Sequence, residues 1–379
     1  MTEPHRIALI ASSFAPHIGG VETHVARVAA GLRTHGHAVE VWTVDRGEGV
    51  GTRFVEGIGV RVLPAPLPTG SVGGIWRFMV ALPRAWGMWV AAYRSFGPTI
   101  LHVHCFGPNG AYALALHRRF RTRLFVTSHG ETFMDDSRLF DTSTVMRTAL
   151  RAALARAVAV TGPSRAVLAD LNARFGLRGG VVVPNGVDLD VHPRPRPLAE
   201  KCFFAVGRLG RTKGFDLLVE AFAEARLPDE VRLVIGGDGP ERVALEALTR
   251  QLGIAQRVSF VGWLDEQSIA DAMGGSLAVV VPSRIEAFGI VALEAWRAGA
   301  PLVMTRHGGA TEFMRDGVDA LLIDPLDIRA SAEAIRRVFI DEQLRKRLAA
   351  AGRDLVREFT WDRVIDRYES LLSSRPIPR

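Results

Sequence analysis

The run Pro282-Ser283-Arg284-Ile285-Glu286-Ala287-Phe288-Gly289-Ile290-Val291-Ala292-Leu293-Glu294 holds the strongest chemical signal in this chain. An apolar strand stops, a loop presents Glu286, and Gly289 opens a helix that carries Glu294. Unpaired N–H groups at a helix start, helped by the helix dipole, can receive a diphosphate or a sugar oxygen. Gly289 has no Cβ and would let a ligand approach the backbone closely. Glu286 at the lip can accept hydrogen bonds from sugar hydroxyls. Glu294, in the first or second helical turn, can take both hydroxyls of a ribose. Gly207-Arg208 and Lys213-Gly214 follow the apolar run Cys202–Val206 and put two cations in one loop. Arg208 and Lys213 could converge on a diphosphate and neutralise it as a leaving group.

The first half of the chain adds three constellations. Gly19-Gly20-Val21-Glu22 is a Gly-rich turn feeding a helix, where Gly20 would admit a phosphate near the backbone. No G-x-G-x-x-G follows the first strand, which argues against a nicotinamide or flavin dehydrogenase. Thr127-Ser128-His129-Gly130-Glu131 ends another apolar run, and loops after parallel strands are where α/β sheets bind ligands. His102 and His104 fall on one face of a strand by alternation. With no third ligand evident, they read as structural or acceptor-side residues rather than a metal site. Glu131, Asp135, Asp136 and Asp141 cluster beyond His129 and could receive a cationic acceptor such as an aminocyclitol.

The spacing of Glu286, Phe288-Gly289 and Glu294 resembles the E-x-F-G-x-x-x-x-E signature of the large retaining glycosyltransferase family with the GT-B fold. The resemblance implies an α/β protein of two Rossmann-like parallel-sheet domains facing a central cleft. It places Glu286 and His129 against the donor sugar, Glu294 on the ribose, and Arg208 with Lys213 on the diphosphate. Gly19 and Gly20 would lie under the diphosphate, Gly262 near the base, and Phe288, Gly289, Ile290 and Val291 along the donor. His104, Glu131, Asp135, Asp136 and Asn185 are the acceptor-side candidates. Weaker matches at Gly237-Asp238-Gly239-Pro240, Gly308-Gly309 with Glu312, and Phe359-Thr360-Trp361 keep the family's order from residue 19 to 361.

The activity so implied is transfer of a hexosyl or N-acetylhexosaminyl group from a nucleotide diphosphate sugar to a hydroxyl, with retention. UDP is chosen on family frequency, and the favoured acceptor is a small soluble cyclitol, aminocyclitol or glycoside. No residue stands out as a covalent nucleophile, so the leaving phosphate would help deprotonate the acceptor. No D-x-D leads a strand end, so neither a metal nor a further cofactor is expected. The alternatives are a membrane-associated transferase acting on a lipid-linked or phosphorylated acceptor, and a nucleotide-sugar epimerase on the same fold.

These residues need strands to carry them to one edge. Strand-like runs at 6–11, 38–43, 60–63, 100–104, 124–127, 157–161 and 180–183 alternate with amphipathic stretches, as in parallel α/β sheets. The rhythm repeats at 202–206, 232–235, 258–260, 278–281, 301–305 and 320–323. Pro184, Gly186, Pro193, Pro195 and Pro197 cannot continue a strand or helix. The division is therefore an acceptor-binding domain 1–184, a linker 185–200, a nucleotide-sugar domain 201–359, and a C-terminal segment 360–379 whose helix packs back towards the first domain.

A length of 379 residues suits two α/β domains. Residues 1–190 carry 20 Arg against 13 Asp and Glu, while the remainder holds 27 of each sign. Such an excess favours anionic partners, yet no basic run interleaves with aromatics, so nucleic acid is not expected. The Ile75–Phe96 stretch with Trp76, Trp86 and Trp89 is interrupted by Arg77, Pro83, Arg84 and Arg94. It reads as a packed helix with at most weak peripheral membrane contact, because no window is apolar enough to span. The start of the chain lacks signal-peptide features, and Cys105 and Cys202 fit no disulfide framework or metal spacing. The expectation is a cytoplasmic monomer or homodimer.

Overall fold

The computed structural model describes residues 3–17, 19–68, 71–135, 138–194 and 201–373. The chain divides into two units, Met1–Pro184 with Trp361–Arg379, and Asn185–Thr360.

In the first unit, Val-, Ile- and Leu-rich runs form β1 (Arg6–Ala11), β2 (Ala38–Val44), β3 (Gly51–Val55), β4 (Ile58–Leu63), β5 (Ile100–His104), β6 (Arg123–Thr127), β7 (Ala159–Gly162) and β8 (Val181–Val182). The helices are α1 (Gly20–Thr34), α2 (Val72–Phe96), α3 (Pro108–Phe120), α4 (Leu139–Thr142), α5 (Thr144–Leu154) and α6 (Arg165–Phe175). The sheet order is β3-β4-β2-β1-β5-β6-β7-β8. All pairs are parallel except β3 with β4. That hairpin turns through Glu56 and Gly57 at φ 50° and 75°, the left-handed pair of a tight two-residue turn.

Period-two alternation splits the core. Ala8, Ile10, Trp42, Leu101, Val103 and Val126 point to the face covered by α2, α3 and α5. Ile7, Leu9, Val41 and Phe125 point to the face covered by α1 and by the last helix. By the same alternation His102 and His104 lie on that second face.

The second unit builds β9 (Cys202–Val206), β10 (Arg232–Gly236), β11 (Val258–Gly262), β12 (Ala278–Val281), β13 (Leu302–Thr305) and β14 (Leu321–Ile323), in the order β11-β10-β9-β12-β13-β14. Its helices are α7 (Phe215–Glu224), α8 (Arg242–Gln251), α9 (Glu266–Gly275), α10 (Ile290–Arg297), α11 (Ile328–Ile340) and α12 (Glu342–Leu355). The final helix, α13 (Trp361–Ser373), belongs to the first unit, where Val364, Ile365 and Tyr368 are buried.

In each sheet the winding reverses once, between β1 and β5 and between β9 and β12. The carboxyl ends of strands flanking such a reversal open a crevice, because the connections leave in opposite directions. Gly19 and Gly20 follow β1, and His104 ends β5. Lys213 follows β9, and Glu286 follows β12.

Two expectations change. β3 was not anticipated: it is an antiparallel edge strand whose residues are largely exposed, so it lacks the buried run that marks the others. The expected linker does not stand free over its described part. Val187 is buried with Phe204 and Trp296, and Arg194 pairs with Asp271 at 2.6 Å, so residues 185–194 belong to the second unit. Its remaining residues, 195–200, lie outside the described residues.

Candidate functional site

Around the β9–β12 reversal, three loops lock together. Lys213 ends a 3-10 turn, Arg211–Lys213, and Gly214 follows at φ 67°. A Cβ on Gly214 would lie 2.2 Å from the Pro282 carbonyl oxygen, so only glycine lets the β9 loop touch the β12 loop. Arg284 N–H donates to Thr212 O at 2.9 Å, and the Arg284 guanidinium grips Asp216 with two bonds of 2.8 and 2.6 Å. Burial opposes ionisation of Asp216, but the Arg284 bonds prevail and hold its carboxyl below the usual range. Glu286 is fixed through its backbone: its N–H donates to His307 O, and its carbonyl accepts from Gly309 N.

On this frame Glu286 is 6% exposed. Lys213 Nζ donates to Oε2 at 2.8 Å, and Ser283 Oγ donates to the same oxygen at 3.0 Å. Among the described residues Oε1 has no partner. Lys213 and Glu286 thus form one cationic and anionic unit at the crevice, where the sequence had suggested separate roles.

The α10 N-terminus beside Glu286 has no side-chain cap, so its first N–H groups can meet an anion. Glu294 sits in the second turn, half-buried, and burial pushes its carboxyl upward. Arg208 is exposed and forms no ion pair among the described residues.

Two donor-side expectations are corrected. Phe288 is 2% exposed and stacks on Phe313 at 4.6 Å, with Phe359 at 5.9 Å. It supports the loop from behind rather than facing a ligand. Gly289 has φ 93°, and its missing Cβ would strike Met304 Cε at 2.4 Å. The glycine is required by backbone conformation and core packing, not by access of a ligand to its vacant side. Ile290 and Val291 are half-buried, and Gly262 ends β11 at φ 72°.

In the first unit the corresponding loops surround a histidine cluster. His102 and His104 are buried on β5, His24 is buried on α1, and His129 follows β6. Ring centroids lie 4.7 Å apart for His24 and His129, 5.5 Å for His24 and His104, and 4.1 Å for His102 and His104. The Tyr368 hydroxyl of α13 meets His24 Nε2 at 3.0 Å. Burial, followed by the neighbouring imidazoles, drives His104 and His129 well below the ordinary histidine range, and His102 to about 3. At neutral pH His102, His104 and His129 are therefore uncharged. His129 can exchange hydrogen bonds with a hydroxyl but adds no charge towards a phosphate.

His24 was not singled out from sequence. It lies one turn after Gly20, and that i, i+4 spacing was the available signal. With His104 and His129, but without His102, it completes a set of three imidazoles. Nitrogens of His24, His104 and His129 lie within 4.8 Å of one another. His104 Nδ1 and His129 Nε2 are 3.4 Å apart, the edge length of a tetrahedral site with metal–nitrogen bonds of about 2.0–2.1 Å. These three are the residues that could hold a metal ion.

The acceptor-side set is also revised. His104 is 0% exposed, so it acts on His129 rather than on a ligand. Glu131 accepts from Phe106 N at 2.9 Å, His129 N at 2.7 Å and Ser128 Oγ at 2.9 Å. Its carboxylate fastens the β5 and β6 loops together. Asp141 pairs with Arg138 and Arg174, and Asp135 accepts from Leu139 N at 3.2 Å. These three acids are spent on the fold. Asp136 lies outside the described residues, and Asn185 is buried at the start of the second unit.

Residues 18–191 match the model for Glycosyltransferase Family 4, and residues 190–355 match that for glycosyl transferases group 1. The lipopolysaccharide core biosynthesis glycosyltransferase LpsE of Rhizobium meliloti is 39% identical over 205 residues, covering 54% of this chain and 57% of that protein. Several of the curated relatives match this chain over about half of their length. A D-inositol 3-phosphate glycosyltransferase of Geodermatophilus obscurus is 29% identical over 420 residues, covering 96% of this chain and 88% of that protein. Among solved structures, Anabaena HepE in complex with UDP and glucose aligns with TM-score 0.79 at 20% identity, covering 98% of this chain and 100% of that one.

Proposed function

This chain belongs to the GT-B glycosyltransferases of family 4 and group 1, and on that footing we propose that it moves a hexosyl group from UDP-sugar to an acceptor hydroxyl with retention of configuration. The observation that carries the reading is the Lys213–Glu286 pair at the β9–β12 reversal, beside an uncapped helix start. The ammonium offers positive charge where a diphosphate would gather negative charge on bond cleavage. The free Oε1 of Glu286 offers an acceptor to a sugar hydroxyl. Glu294, further along α10, has the spacing for a ribose. UDP is supported by the nucleotide bound in HepE.

Retention is supported by the resemblance of the Glu286, Phe288-Gly289 and Glu294 spacing to a retaining family, with Glu286 paired to Lys213 as an anchor rather than a nucleophile. The departing phosphate takes the acceptor proton, so the chemistry runs without a metal. The acceptor is a saccharide or cyclitol hydroxyl rather than an amine, because Glu131, Asp135 and Asp141 are engaged internally. The phosphorylated acceptor named for the Geodermatophilus relative supports a second possibility, one that matches the Arg excess of residues 1–190.

A thermal-shift panel of UDP-, GDP-, ADP- and TDP-sugars tests the donor. At about 100 times Kd, the cognate one adds about 2.7 kcal/mol of stability. Lys213→Ala then lowers turnover by about 10²–10³-fold, as for loss of one charge-stabilising donor. Full turnover in Lys213→Ala, or an inverted anomer in the product, overturns the mechanism.

A further inference from the structure

Helix α2 has two unlike halves. Its C-terminal half is pinned: Trp89 is 0% exposed, donates from Nε1 to Pro64 O at 2.9 Å, and stacks on Tyr112 at 5.3 Å. Tyr93 stacks on Phe120 at 4.0 Å. Ala85, Trp89, Ala92 and Phe96 pack into the core of the first unit.

Before Pro83 the helix carries apolar side chains that face solvent. Ile75 is 49% exposed, Trp76 67%, Met79 60% and Val80 60%. At 100° per residue, Trp76, Met79, Val80 and Pro83 make one stripe. Arg77 and Arg84, seven residues apart, run along one flank of that stripe, and both are exposed. No Asp or Glu occurs anywhere in Val72–Phe96. Phe54, on the exposed edge strand β3, is 78% exposed on the same side of the sheet as α2.

We propose that the N-terminal half of α2, around Pro83, lies on an anionic membrane surface, with Trp76, Met79 and Val80 in the headgroup boundary and Arg77 and Arg84 on lipid phosphates. An exposed Trp with large aliphatics costs free energy in water and gains it at a lipid interface, where the indole has both an apolar and a polar neighbour. The charge pattern selects the surface. A helix with three arginines and no acid meets anionic lipid favourably, whereas a second copy of the same face would bring like charges together. The mode is attachment and not insertion, since none of the described helices is long and apolar enough to cross a membrane. The Arg excess of residues 1–190 extends the same attraction to longer range. This docking goes beyond the transferase reading and does not depend on it.

The full chain is mixed with phosphatidylcholine vesicles, with and without phosphatidylglycerol, and sedimented at low and high salt. Binding is expected to the phosphatidylglycerol vesicles and to weaken with salt. Trp76→Ser/Met79→Ser reduces it at least tenfold. Arg77→Gln/Arg84→Gln reduces it by about fivefold per arginine and removes the preference for anionic lipid. All four positions are exposed, so the variants should melt with the parent. Their UDP-glucose thermal shift should also match, which separates failure of docking from failure of the donor assignment. A parent that stays in the supernatant with both vesicles overturns the proposal. So does a variant that sediments like the parent, or a concentration-dependent dimer broken by Trp76→Ser without vesicle binding.

Discussion

Acidification should destabilise the N-terminal unit through its buried histidines. The folded chain holds His102, His104 and His129 neutral, because burial penalises the imidazolium and each ring repels a charge on the next. In the unfolded chain each titrates near the ordinary value of 6.5. The sign follows: the unfolded state binds more protons below that value, so stability is full above it and falls as pH drops. His102, with a folded value of about 3, stays neutral across the whole window that matters. With that folded value, His102 alone costs ~1.4 kcal/mol at about pH 5.5 relative to about pH 7.5, and His104 and His129 shift stability in the same direction. Glu131 works in the opposite sense, since burial raises its pKa and its protonation favours the fold at low pH. A difference measurement removes that contribution. His102→Gln keeps an amide donor for the Thr127 hydroxyl, which His102 Nε2 meets at 2.8 Å, and deletes one titrating site. Urea unfolding followed by tryptophan emission reports mainly this unit, which holds Trp42, Trp76, Trp86, Trp89 and Trp361 of the seven tryptophans. Between about pH 7.5 and pH 5.5 the parent should lose ~1.4 kcal/mol more than His102→Gln. Equal losses in the two proteins would refute the buried neutral cluster.

Gly214→Ala places a Cβ 2.2 Å from Pro282 O at φ 67°, so it should destabilise the second unit by roughly 1–3 kcal/mol and move Lys213 away from Glu286. A melting temperature unchanged from the parent would show that the β9 and β12 loops do not meet as described. Transfer should proceed at the same rate in excess EDTA. Loss of activity with rescue by zinc would put an ion on His24, His104 and His129, and loss with rescue by magnesium would overturn the metal-free mechanism in another way.

What the sequence revealed and what it concealed divide along a physical line. The succession of strands along the chain, the α/β class and the loops that carry Glu286, Glu294 and Lys213 were legible, because apolar runs ending in Gly-rich loops are local patterns. The Lys213–Glu286 bond was not, since it joins residues 73 apart in the chain and depends on β9 and β12 becoming neighbours at the sheet reversal. The same holds for His24, which meets His104 and His129 only because α1 covers the sheet face that alternation assigns to β5. Acids are the most misleading class. Glu131, Asp135 and Asp141 looked like a receptor for a cation, yet their lone pairs accept from backbone N–H groups, a serine and arginines close by. A carboxylate in a loop competes for the unpaired donors that the loop itself exposes, and the sequence does not show which donors those are. Phe288 errs in the other direction. A motif couples residues that touch a ligand to residues that hold them in place, and only burial separates the two. Glu286 keeps one oxygen free at the crevice, while Phe288 spends its whole ring on Phe313 and Phe359. At this edge Lys213 and Glu286 present the polar atoms, and Phe288, Arg284 and Asp216 brace the loops that hold them 2.8 Å apart.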